Sequence, residues 1–166
     1  MPPTVDLAAG TAGAAPPARQ VPGRRPGASL WTLRGVALVH AAAVVGQPLL
    51  AGRYLGGDVE SLAVHGFNGS LLPLLTMLQG AAALAYVWPG GGRGWPFLVT
   101  FLLFFAEGIQ IGLGHTRELA IHLPLGVGIV VVQVLLTVWL FRGGARRPRR
   151  PRRRQRVRQA GDSHGR

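Results

Sequence analysis

Leu62-Ala63-Val64-His65-Gly66-Phe67-Asn68-Gly69 and Leu119-Ala120-Ile121-His122-Leu123-Pro124-Leu125-Gly126 are two copies of one pattern: a short apolar run, a histidine, and a glycine four residues later. Each copy opens a long apolar stretch. Each follows an acidic residue, Glu60 or Glu118, and a short loop carrying one arginine, Arg53 or Arg117. Before each loop, an apolar segment holds a glutamine near its end, Gln47 or Gln110. Segment, loop and segment repeated in this register predict two helical hairpins of one design, and so four helices.

The composition places those helices in lipid. Only 14% of the 166 residues are charged and 48% are hydrophobic, and almost all of the charge sits at the two ends. Residues 35–51, 61–88, 95–114 and 118–141 are apolar runs, against the roughly 20 residues that cross a hydrocarbon core. Trp31 and Arg34 flank the first and shortest run as an interfacial aromatic and a snorkelling cation. A cleaved signal peptide at that place is disfavoured by the roughly 30 polar residues before it. The expected fold is all-α: a polytopic membrane protein with an antiparallel four-helix transmembrane bundle over 31–142. Disordered tails are expected over 1–30, rich in Pro, Ala and Gly, and over 143–166, rich in arginine.

There is no cysteine, which excludes disulfides, thiolate metal sites and cysteine catalysis. All 18 basic residues are arginine, a bias expected of a bacterial genome of high G+C content. Arg19, Arg24, Arg25 and Arg34 precede the first span, Arg93 lies between the second and third, and nine arginines fall within 146–158. With four spans these share one side, so the Lys/Arg rule puts both termini in the cytoplasm of a plasma membrane. The arginine tail is a topogenic signal and a binder of anionic lipid headgroups. It lacks the interleaved aromatics that would stack nucleic-acid bases, so nucleic acid is disfavoured as a partner.

Short loops make successive spans antiparallel neighbours, so the second and fourth spans lie on a diagonal. The parallel repeat puts matching residues face to face across a pseudo-twofold axis along the membrane normal. His65 and His122 then sit at equal depth, about 6 Å inside the outer boundary at 1.5 Å per residue. Gly69 and Gly126 lie on the same faces one turn deeper and leave room for a flat group. Two neutral imidazoles on opposing helices, small residues beneath them and cations where propionates emerge are what a b-type haem needs. His65 and His122 are thus candidate ligands of a haem iron, and of no other metal. Gly69, Gly126, Arg53 and Arg117 complete that site, with His115 a further candidate near the surface.

This constellation resembles one four-helix half of the haem A synthase family, in which histidines of the second and fourth helices ligate haem. The resemblance covers about residues 33–141 and rests on His65, His122, Glu60, Glu118 and Gln110-Ile111-Gly112-Leu113-Gly114. Gly66 stands where the family has arginine, Glu60 is five residues before His65, and the outer cysteine pair is absent. The resemblance therefore implies haem binding rather than haem hydroxylation. The chain is equally similar to small four-helix membrane proteins of high-G+C bacteria.

Glu107 is expected about 10 Å inside the third span, where a carboxylate must be paired or protonated. With Gln110 and Gln47, and with Asn68 and Ser70 in reach, it outlines a proton path or the polar wall of a quinone or haem pocket. The alternative for Glu107 is a neutral acid making one interhelical hydrogen bond. His40, Gln79 and Gln133 form a second, inner polar layer of interhelical hydrogen bonds. No nucleophile–base–acid set and no nucleotide motif is present, so no catalytic residue is expected. Two functions remain open: a haem-binding electron-transfer module working with a membrane quinone or redox partner, or a non-enzymatic structural or accessory subunit without a cofactor.

Overall fold

The computed structural model describes residues 27–146; the tail expectations for 1–26 and 147–166 lie outside the described residues. Four helices follow in order: α1 Ala28–Leu55, α2 Glu60–Val87, α3 Trp95–Thr116 and α4 Leu119–Phe141. A turn of 3-10 helix, Gly143–Arg146, closes the described chain. All four helices are long and apolar enough to span a bilayer, so the chain is a multi-pass membrane protein by length and composition. α1 starts well before residue 35, because Leu30 and Leu33 already face the core and are buried. Its 28 residues rise ~42 Å, beyond the ~30 Å of hydrocarbon, so its ends reach the headgroup region or the helix tilts.

The packing pairs are α1 with α2, α2 with α3, α1 with α4, and α3 with α4. The bundle is therefore antiparallel, up-down-up-down, with α2 and α4 on a diagonal, as the short loops require. The loop end carries the two tight hairpin turns. Gly57 there has φ 101°, and Arg117, the C-cap of α3, has φ 61°. The opposite, terminal end carries residues 27 and 146 and the 88–94 loop.

Packing differs sharply along the bundle axis. At the terminal end one cluster buries Leu30, Leu33, Ala83, Tyr86, Leu136 and Leu140 with their neighbours. Mid-bundle, each helix gives one residue to a second layer: Val44, Leu72, Leu103 and Ile129. Beyond that layer, toward the loop end, the buried residues among those described are Glu107, one turn past Leu103, and Ser61 and Gly69, none of them hydrophobic. The terminal end is plugged and the loop end is not.

Tyr86 and Arg34 build the plug. The Tyr86 hydroxyl donates to the Ala145 carbonyl at 2.9 Å, pulling the 3-10 turn over the core. The Gly92 N–H donates to the Tyr86 carbonyl at 2.9 Å, so the glycine loop folds across the Tyr86 ring. Arg34 does not snorkel. It is 2% exposed, its Nε donates to Leu140 O at 2.9 Å, and its guanidinium lies 4.7 Å from the Trp31 ring centre and 5.0 Å from that of Phe141. The cation thus satisfies a carbonyl of the last turn of α4 and rests on two aromatic faces, both favourable at a helix C-terminus.

A Cβ on Gly92 would overlap the Tyr86 ring, whereas one on Gly94 would meet nothing within 4 Å. Gly92→Ala is expected to cost about 1–3 kcal/mol by overpacking and Gly94→Ala within ~0.5 kcal/mol, read from unfolding of the detergent-purified chain.

Candidate functional site

Two histidines from the diagonal helices meet near the loop end. The ring centres of His65 and His122 lie 6.4 Å apart, with the ring planes at 51°. Each ring is held in the same way by the preceding helix. His65 Nδ1 is 3.1 Å from the Gln47 carbonyl oxygen, and His122 Nδ1 is 3.0 Å from that of Gln110. A carbonyl oxygen only accepts, so each Nδ1 carries a proton and donates, and Nε2 is the ring nitrogen that holds the lone pair in the neutral imidazole.

The glutamine side chains complete this symmetric clamp. In the amide orientation its neighbours require, Gln47 donates to the His65 carbonyl at 3.2 Å and accepts from the Gly69 N–H at 2.8 Å, bridging one turn of α2. Its amide nitrogen also lies 2.8 Å from His65 Nδ1. That contact alone would suit a bare Nδ1, but the carbonyl contact is the one both repeats share, and the proton is assigned from it. Gln110 donates to the His122 carbonyl at 2.9 Å. The space beside the two glycines is therefore occupied: a Cβ would meet the Gln47 amide at 2.9 Å on Gly69 and the Gln110 amide at 2.8 Å on Gly126. Each glycine admits a glutamine head against the histidine helix. Gly114 has a related part, since a Cβ there would press on His122 Cε1 at 3.2 Å.

The other surface candidates do not join the pair. Arg53 is bound to Asp58, with Nη2–Oδ2 at 2.6 Å and Nε–Oδ2 at 3.0 Å. The Ser61 hydroxyl and then Arg53 hold the Asp58 carboxyl below the usual carboxylate range. A depressed carboxyl stabilises the loop above its unfolded value, and this contribution is lost as pH falls through the folded one. Arg117 is exposed at the α3 C-cap. His115 is exposed and its Nδ1 donates to Ile111 O of its own helix at 2.9 Å. Asn68 tethers α2 to α1 through Ala43 O at 2.8 Å, and Ser70 bonds back to Gly66 O.

Glu107 lies in the deeper layer instead of beside Gln110. It is 1% exposed, and its Oε1 is 2.9 Å from Nε2 of His40, which is fully buried. The Thr76 hydroxyl is close to Glu107 Oε2 and also 2.9 Å from Leu72 O. His40 Nδ1 is 3.0 Å from Gln79 Oε1. Gln79 and Gln133 pair amide to amide, at 2.8 and 3.1 Å, across the diagonal. Gln79 also donates to Thr100 Oγ1 at 3.0 Å, and Gln133 to Ala37 O at 3.2 Å. One polar layer thus ties all four helices together.

The His40–Glu107 pair was not read from the sequence, which placed His40 with Gln79 and Gln133 and Glu107 with Gln110. A usable signal was present: a carboxylate within a span needs a partner, and His40 is the one histidine inside the first span. The reach of the glutamate side chain closes the difference in depth.

The chain matches no protein-family model, no curated protein and no solved structure.

Removing one member of a buried hydrogen-bonded pair leaves the other unsatisfied, at about 1–3 kcal/mol and more for a charged group. His40→Leu and Glu107→Leu are each expected to destabilise on that scale, and the double variant by clearly less than their sum. A double-mutant cycle on unfolding free energies reads that coupling.

Proposed function

We propose that this chain binds one b-type haem between His65 and His122 near the outer face of a bacterial plasma membrane and passes electrons to or from a quinone or a membrane redox partner. The observation that carries this reading is the geometry of the pair. Two metal–nitrogen bonds of ~2.0–2.1 Å, plus the distance from each nitrogen to its ring centre, span roughly 6.3 Å for a metal between two imidazoles, and the rings stand 6.4 Å apart. Donation from each Nδ1 to a main-chain carbonyl supports the rest, because it fixes the tautomer that ligates through Nε2.

The surroundings fit the group as well. The loop end buries no hydrophobic side chain fully, so a large apolar ring would complete its packing. The Gln47 and Gln110 amides are the polar groups at its edge, and the exposed Arg117 is the cation left for propionates, since Arg53 is paired with Asp58. Bound haem would supply one-electron transfer. The protein's part is to hold both imidazoles through their Nδ1 hydrogen bonds, and to keep water from the terminal end with the Tyr86 plug.

Orientation follows from charge. The described residues of the terminal end hold Arg34, Arg93, Arg142 and Arg146 and no acid, while the loop end sets Asp58, Glu60 and Glu118 against Arg53 and Arg117. That charge difference supports a cytoplasmic side for the termini, with anionic headgroups as partners for the arginine tail.

A second reading has its own observation. Each ring bonds to the main chain of the neighbouring helix, so the pair also serves an accessory subunit that binds no cofactor and uses its histidines as interhelical ties.

The visible spectrum of the purified chain from haem-replete cells separates the two readings. A sharp reduced α-band, lost in both His65→Ala and His122→Ala, is the expected result. A featureless spectrum from folded protein would sink the haem reading and leave the accessory one.

A further inference from the structure

His40 and Glu107 are the buried titratable pair that the histidine centre does not use, and their hydrogen bonds set its proton inventory. The Gln79 nitrogen is committed to Thr100 Oγ1 and Gln133 Oε1, so Gln79 Oε1 faces His40 as an acceptor. His40 Nδ1 therefore carries a proton. A single further proton lies on the line between His40 Nε2 and Glu107 Oε1, 2.9 Å long, whichever atom owns it. The pair is neutral overall in either case, which is what an apolar interior tolerates.

A second proton also has a prepared place. Besides His40 Nε2, 3.2 Å away, the Thr76 hydroxyl has two oxygen acceptors in reach, Glu107 Oε2 and Leu72 O. When Glu107 Oε2 is bare, Thr76 donates to it. When Oε2 is protonated, Thr76 turns its hydrogen to Leu72 O and accepts from Glu107. No hydrogen bond is lost in the exchange, and the pair gains one positive charge.

The two sides of this site differ. Toward the terminal end stand the reciprocal amides of Gln79 and Gln133, which cannot hand on a proton without tautomerising, and then the Leu30–Tyr86–Leu140 cluster. Toward the loop end stand Val44, Leu72 and Ile129 of the mid-bundle layer, with Glu107 at the loop-side edge of that layer one turn past Leu103, and then Gln110, Gln47 and the half-buried histidine centre. Glu107 is one turn of α3 inward from Gln110, whose carbonyl holds His122. His40 is two turns of α1 inward from Gln47, whose carbonyl holds His65.

We propose that Glu107, with His40 and Thr76, is a proton-loading site reached from the loop end, which takes up one proton when the His65–His122 centre accepts one electron. The proposal rests on the haem reading above. The electron comes from a one-electron donor such as a quinol or, in vitro, dithionite. The proton comes from water at the loop end and forms a bond to Glu107 Oε2, so the added negative charge at the centre is matched within the bundle. The facing groups of the other helices, Gln79, Thr76 and Thr100 and Gln133, do not titrate. Among the described interior residues His65 and His122 are the other titratable groups near the site, and metal binding removes them from the count.

The test is the midpoint potential of the full chain in detergent as a function of pH, together with the reduced-minus-oxidised infrared spectrum in H2O and D2O. One proton per electron makes the potential fall with rising pH toward ~59 mV per unit, the one-electron value for a tenfold change, and a D2O-sensitive change appears in the protonated-carboxyl region on reduction. Glu107→Gln should flatten the slope and remove that carboxyl change while the α-band stays. Thr76→Val, which keeps the fold's shape and lacks the reversible hydroxyl, should displace the pH range of the slope. A pH-independent potential in the unaltered chain overturns the proposal without touching the haem reading, as does a slope that survives in Glu107→Gln. Absence of any haem spectrum overturns both.

Discussion

A carboxyl group placed in the middle of an apolar bundle has to find its partners inside that bundle, and the rest of this molecule is arranged around that requirement. Glu107 is met by His40 from α1 and Thr76 from α2, and His40 is met in turn by Gln79. Gln79 is met by Gln133 from α4 and Thr100 from α3. In water such a layer would bring little net stability, because each group has solvent as an alternative. In lipid the alternative is an unsatisfied group, so the layer fixes which helices neighbour which and at what height. The Val44, Leu72, Leu103 and Ile129 layer then fills the space beside it, one residue per helix.

That layer also divides the molecule into two ends of different character. The terminal end is closed by groups that are poor at moving. Tyr86 is pinned to Ala145, the glycine loop lies across its ring, and Arg34 ties α1 to the last turn of α4. The loop end is held chiefly by side chain to main chain bonds: His65 and His122 to glutamine carbonyls, Gln47 and Gln110 to histidine carbonyls, and Asn68 to Ala43 O. These bonds set the heights of neighbouring helices without filling the axis with apolar bulk. A bundle that packs tightly at one end and positions two imidazoles at the other is consistent with a site that works from the loop side.

The internal repeat is respected at the surface of this design and broken at its centre. Gln47 and Gln110, His65 and His122, and Gly69 and Gly126 occupy matching positions and make matching contacts. Deeper in, the residue matching Glu107 is Val44 and the residue matching His40 is Leu103. A symmetric centre therefore sits beside an asymmetric ionisable pair, to which each hairpin gives one member. α1 and α3 carry the proton-bearing groups, and α2 and α4 carry the candidate ligands.

By itself the sequence determined the four helices, their alternating directions and the diagonal placing of α2 and α4, because span length, short loops and apolar composition leave few other solutions in a bilayer. The repeat likewise made the meeting of His65 and His122 legible, since matching residues of a parallel repeat must face one another. The tertiary structure alone decided what stands beside them. A glycine four residues after a histidine reads as empty space, yet whether a ligand or a neighbouring glutamine fills that space depends on helix separation, and here the amides of Gln47 and Gln110 fill it. Only the structure brought Glu107 to His40 and drew Arg34 inward to Leu140. Both depend on long side chains reaching across several ångströms between helices, and the reach of a side chain is invisible to periodicity, which records the face and depth of a Cα and not the place of the charge it carries.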